Sequence, residues 1–175
     1  MLFLLMDMVE TPEEKRKTEA LFNKYERLSY YVAAKILTNQ QDIEDAVMDA
    51  WIKIIQNLDK ISEISCPQTK SFVVIIVERT AINHLKWKKR HQSGEVAIEE
   101  YDGAPFFASA DSELEDVEVY EILRGISKTY SEVLILYYMH DYSLKEIADV
   151  FGISEEAAKK RLQRGRDELK KVVEL

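Results

Sequence analysis

The sequence predicts an all-α protein of two small helical domains joined by an acidic flexible linker. Five glycines and three prolines in 175 residues leave too few turn residues for the many tight reversals of a β-rich fold. Apolar residues recur at steps of three and four along most of the chain. That period lapses from Ser93 to Ser112, where Gly94, Gly103, Pro105 and several acids cluster instead. Hydrophobic residues at 46% and charged residues at 32% are an ordinary globular balance, which excludes wholesale disorder.

The opening run Met1 to Met6 is apolar but short, and Asp7 interrupts it. It lacks a basic leader region and a small-residue cleavage site, and it is too short to span a bilayer. Residues 1–17 are therefore read as a disordered or docking N-terminus. From about residue 13 to 38 a helical stripe runs through Leu21, Tyr25, Leu28, Val32 and Ile36, and Thr38 to Gln41 breaks it. A second helix follows from Asp42 to about Leu58, with Ile43, Ala46, Val47, Ala50 and Ile54 on one face and acids in its first turn. Lys60 to Thr69 reads as a loop, because Pro67 disfavours helix at Cys66. Phe72 to Val77 has the composition of a buried strand. Ala81, Ile82 and Leu85 nevertheless continue it at helical steps, and no second strand exists to pair with, so it is taken as a buried helix running into a basic tail. Phe106 and Phe107 in the linker read equally as a docking point or as an aromatic pair in a loose loop. The helical pattern resumes at Leu114.

A net charge of −8 is unpromising for a partner made of phosphates, but the charges are segregated. Arg79 to His91 holds five basic residues and no acid, and Lys159 to Lys171 holds seven against Asp167 and Glu168. Gln92 to Leu123 carries ten acids and no Lys or Arg. Two basic patches separated by an acidic spacer are the footprint of a nucleic-acid binder. Enzyme readings are weak: Cys66, His84, His91 and His140 have no metal-ligand spacing, no phosphate-cradling glycine loop occurs, and His140 beside Asp141 reads as a loop residue. No cofactor, metal or small-molecule substrate is expected. The lone cysteine fits a reducing cytoplasm.

The most informative stretch is Ser143 to Leu162. Ser143 and Glu146 form a capping box, Gly152 suits the left-handed residue that ends a helix, and Ile153 plugs the corner. Ser154 then caps a second helix with a buried stripe of Ala158, Leu162, Gly165, Leu169 and Val172 and an outward face of Lys160, Gln163, Arg164, Asp167 and Lys171. Two helices, a short turn and a basic outer face make a helix-turn-helix.

With those residues in view, the chain resembles the extracytoplasmic-function group of sigma-70-type sigma factors over roughly residues 18 to 172. Ile126 to Leu134, the helix-turn-helix and Arg161 to Leu169 resemble the family's fourth region; Asp42 to Trp51 and Phe72 to Lys86 resemble its second. The resemblance implies a sigma region 2 at 18–91, an acidic linker at 92–112 and a sigma region 4 at 113–175. It implies core RNA polymerase (clamp and flap regions), promoter DNA and an anti-sigma factor as partners. Asp42, Glu44, Asp45, Met48 and Asp49 would bind polymerase. Arg79, Asn83, His84, Lys86, Trp87, Lys88, Lys89 and Arg90 would melt and read the −10 element, with Lys60 to Lys70 holding an extruded base. Glu155, Lys159, Lys160, Arg161, Gln163 and Arg164 would meet the −35 element. Trp87 reads equally as a stacking platform and as a core residue. The family usually has glutamine at Met48, asparagine at Arg79, aspartate at Asn83, proline at Ser127 and Gly-Thr at Glu156–Ala157. Two rival readings stand beside this one: a stand-alone helix-turn-helix regulator, and an interaction protein that has lost DNA binding.

Overall fold

The computed structural model describes residues 1–93 and 117–174 and divides into two compact units, Met1–Glu99 and Glu100–Leu175. All regular structure among the described residues is helical. The expected linker beyond Ser93, with Phe106, Phe107 and the restart at Leu114, lies outside the described residues.

The first unit begins earlier than expected. Leu2–Met6 forms α1, and Leu5 is fully buried. Helix α2, Pro12–Ala34, starts at a capping box: Thr11 Oγ1 accepts from the Glu14 amide at 3.1 Å, and Glu14 Oε2 accepts from the Thr11 amide at 3.0 Å. Residues 1–17 thus belong to the first compact unit, with α1 packed on α2 and α3, and are not a separate tail. Helix α2 stops short of residue 38, because Leu37, 3% exposed, turns into the core and Asn39 caps α3, Gln40–Gln56, by accepting from the Asp42 amide at 3.2 Å. Trp51 of α3 is fully buried, its ring 5.0 Å from that of Phe22.

After a single 3₁₀ turn at Leu58–Lys60 comes α4, Pro67–Ser93. The expected loop to Thr69 is therefore too long. Proline at the first helical position gives up only an N–H that has no partner there, so Pro67 starts the helix, and Lys70 N already donates to Cys66 O. Every residue from Ser71 to Ile82 is buried, which makes α4 the central helix, packed against α2 and α3. Phe72–Val77 is helical, and its burial outweighs its low helix propensity. Each such side chain contributes about 1.5–3 kcal/mol when buried, against a helix-propensity cost of at most about 0.7 kcal/mol. The loop before α4 is clamped from α2: Tyr25 Oη donates to Ile64 O at 2.6 Å, Lys24 Nζ to Ser65 Oγ at 2.8 Å, and Lys17 Nζ to Leu58 O at 2.9 Å and to Ile61 O.

The second unit comprises α5 Val117–Arg124, α6 Lys128–Met139, α7 Leu144–Phe151 and α8 Glu155–Val173, and α8 packs on all three others. Gly165 lets α8 approach α6 closely, since a Cβ there would sit 3.2 Å from Leu134 Cγ. Ser127 N donates to Glu168 Oε2 at 3.0 Å, tying the start of α6 to α8 through an amide that a proline would lack.

Candidate nucleic-acid interface

The turn between α7 and α8 is built as its residues require. Ser143 Oγ accepts from the Glu146 amide at 3.2 Å while Glu146 Oε2 accepts from the Ser143 amide at 2.7 Å. Gly152 takes the left-handed conformation, φ 62°, and Ile153 N donates back to Ala148 O at 3.0 Å, closing a Schellman turn. Ser154 Oγ then accepts from the Ala157 amide at 3.2 Å and starts α8.

Helix α8 buries Ala158, Leu162 and Gly165, with Leu169 and Val172 half-buried below them. At about 100° per residue, Glu156, Lys160, Gln163 and Asp167 lie opposite that stripe, and all four are exposed. They form two couples along the helix: Lys160 Nζ is 2.9 Å from Glu156 Oε1, and Gln163 Nε2 donates to Asp167 Oδ1 at 3.1 Å. The arginines flank this ridge and lean on aromatic rings. Arg161 lies 5.6 Å over Phe151, and Arg164 Nη1 donates to Tyr130 Oη at 3.3 Å. Arg166 donates to Tyr138 Oη at 2.8 Å and lies over Tyr137 and Tyr138. Glu155, Lys159, Lys160, Gln163 and Arg164 are exposed, and Arg161 is half-buried. The three tyrosines and Arg166 were missed at the sequence level; their seven- and eight-residue spacing on α6 was the available signal.

In the first unit the basic tail is the end of α4. Arg79 does not belong to it: at 6% exposed the side chain is inside the bundle, because the fully buried part of α4 extends to Ile82. Asn83, His84, Lys86 and Lys88 are half-buried, and Trp87, Lys89 and Arg90 are exposed. Trp87 is 62% exposed, so it is not a core residue, and its ring centroid is 4.1 Å from that of His91.

The acids of α3 meet these bases across an antiparallel helix pair. Lys53 Nζ donates to Thr80 Oγ1 at 3.2 Å, Asp49 Oδ2 lies 2.8 Å from His84 Nε2, and Asp42 pairs with Lys88. An ionised carboxylate only accepts, so His84 Nε2 carries the proton in that contact. Glu44 and Asp45 are exposed, Glu44 accepting from Gln40 Nε2 at 2.8 Å, and Met48 is half-buried. Among the described residues no group of three His, Cys, Asp or Glu is placed to hold a metal ion, and no helix is long and apolar enough to cross a membrane.

Residues 21–91 match the family model for Sigma-70 region 2, and residues 116–169 match that for Sigma-70, region 4. The chain is 25% identical over 158 residues to RNA polymerase sigma factor SigV of Bacillus subtilis (strain 168), a match covering 87% of this chain and 90% of that protein. The two regions fall on the two compact units in chain order, and a stand-alone regulator would need only the second. The chain belongs to the extracytoplasmic-function group of the sigma-70 family and is a polymerase-binding sigma factor.

Proposed function

We propose that the two units divide promoter recognition between them, with region 2 at 18–91 on the −10 side and region 4 at 113–175 on the −35 side. Glu44, Asp45 and Met48 on α3 meet the polymerase clamp, where acids suit a basic partner. Asp42 and Asp49 join them once released from Lys88 and His84. Asn83 to Arg90 at the exposed end of α4 track the opened strand, with Trp87 stacking on unpaired bases. On α8, Lys160 and Gln163 read base edges in the major groove while Arg164 and Lys159 hold phosphates. Glu155 and the half-buried Arg161 border that surface. The polymerase supplies the chemistry, in the cytoplasm where the promoter lies. An anti-sigma factor is the remaining partner of this reading, and the exposed faces of α3 and α8 are what it would cover.

The observation that carries the proposal is the α3–α4 surface: an exposed acidic face beside an exposed basic end with Trp87 standing in solvent. Glu44→Arg with Asp45→Arg should abolish co-purification with core polymerase while leaving the thermal melt unchanged, because both side chains are exposed. Wild-type yield of the complex would show that the clamp is met elsewhere.

A further inference from the structure

We infer that Glu156 is a specificity residue: its carboxylate accepts from the exocyclic amino group of a cytosine in the major groove while Lys160, one turn on, donates to the paired guanine. The inference rests on the −35 reading of α8 proposed above. Glu156 stands in the first turn of the helix whose N-terminal residues enter the groove, opposite the fully buried Ala158, with its side chain 76% exposed. An acid at that point is repelled by phosphate, so the favourable partner within reach is a base-edge donor. The Lys160 ammonium, 68% exposed, lies 2.9 Å from Glu156 Oε1. Nearly neutral as a couple, the two gain little from the DNA backbone and become dependent on the base edge. A carboxylate accepts several hydrogen bonds and an ammonium donates three, so each keeps capacity for DNA without the couple breaking.

The order of groups selects the base pair. A cytosine–guanine pair presents a donor followed by two adjacent acceptors, N4, O6 and N7, which suits a carboxylate beside an ammonium. In an adenine–thymine pair the amino group lies between N7 and O4, so a carboxylate aimed at it meets an acceptor on each side. Thymine in place of cytosine turns the donor into an acceptor and adds a methyl group. The acid at this position, where the family usually has glycine, thereby acquires a role that does not conflict with DNA binding.

The experiment is transcription by holoenzyme, core polymerase plus the full chain, from a template library randomised across the −35 segment, with the transcribed templates sequenced. Wild type should favour cytosine over thymine at one position by roughly 5- to 150-fold. Glu156→Ala should erase that preference at that position alone. Glu156→Gln should move it toward adenine, whose N6 and N7 an amide pairs with. Lys160→Ala should reduce the preference for that cytosine–guanine pair without abolishing it, because Glu156 still reads the cytosine amino group. If Glu156→Ala rescales all templates by one common factor, the carboxylate does not read a base. If Lys160→Ala abolishes the cytosine preference and adding Glu156→Ala changes nothing more, Glu156 only positions Lys160; either outcome overturns the inference. A wild-type profile flat across the −35 segment overturns the −35 reading with it. A structured profile unchanged in Glu156→Ala overturns this inference alone.

Discussion

In the first unit acids and bases pair across two helices; on α8 they pair along one. The α3–α4 contacts join residues 27, 35 and 46 positions apart, through side chains that are 30% and 53% exposed at His84 and Asp49 and 36% and 29% at Lys88 and Asp42. The α8 couples are four residues apart and mostly solvated. An exposed pair at that spacing is worth about 0.2–0.5 kcal/mol, so a competing partner would displace it at almost no cost. The α3–α4 pairs bind structure as well as charge, and under the proposed function they tie an acid of the clamp-facing helix to a base of the DNA-facing end of α4. On that proposal a partner that takes Asp42 and Asp49 would release Lys88 and His84 and so couple the two interfaces of the first unit, whereas the outer face of α8 is already exposed.

The sharpest way to break the contrast is charge reversal. Asp42→Lys with Asp49→Lys places cations against Lys88 and His84 in partly buried surroundings and should destabilise the first unit by about 1–3 kcal/mol. Asp167→Lys on α8 should stay within about 0.5 kcal/mol. Chemical denaturation of the three proteins checks this, and equal losses would remove the distinction. A milder version separates stability from binding. Asp42→Asn with Asp49→Asn should cost no more than about 1 kcal/mol per pair, yet raise the affinity of the free protein for single-stranded promoter DNA at low salt. Unchanged affinity by fluorescence anisotropy would mean that the pairs do not restrain α4. On α8, Arg164→Ala should weaken all sequences alike and lower the salt slope by about one unit. A change of base preference in that variant would place Arg164 among the readers.

The smallest effect concerns the loop that α2 holds. Burial, and then the nearby Cys66 thiolate, push the Tyr25 hydroxyl up to about 12. An unfolded tyrosine titrates near about 10, so the stability contributed by the protonated hydroxyl on Ile64 O is complete below that pH and lost as pH rises toward the folded value. The melting temperature of wild type should fall more steeply than that of Tyr25→Phe between those limits. Parallel slopes would detach Tyr25 from the loop anchor.

The same contrast governs how much could be read from the sequence. The helix-turn-helix was legible because its signals are local: Ser143 with Glu146, Gly152, Ser154 and the Ala158–Leu162–Gly165 stripe all lie within a few residues of what they specify. The central helix was legible only by elimination, since a fully buried run such as Phe72–Val77 shows no face and period cannot separate it from a strand. Pro67 was read as part of a loop when it starts a helix, and Arg79 was assigned to the basic tail by charge although it lies on the buried part of α4. The α3–α4 pairing was not legible, because nothing in local spacing links Asp49 to His84 or Asp42 to Lys88.

The division of labour between the two units is tested most directly by sequencing transcripts from a promoter library randomised in both the −10 and −35 segments. The assay uses holoenzyme carrying wild type, Asn83→Ala or Lys160→Ala. Asn83→Ala should alter base preference only in the −10 segment and Lys160→Ala only in the −35 segment, the latter by roughly 1–3 kcal/mol at one or two positions. Both variants altering the same segment, or neither altering any, would contradict the assignment of α4 and α8 to separate promoter elements.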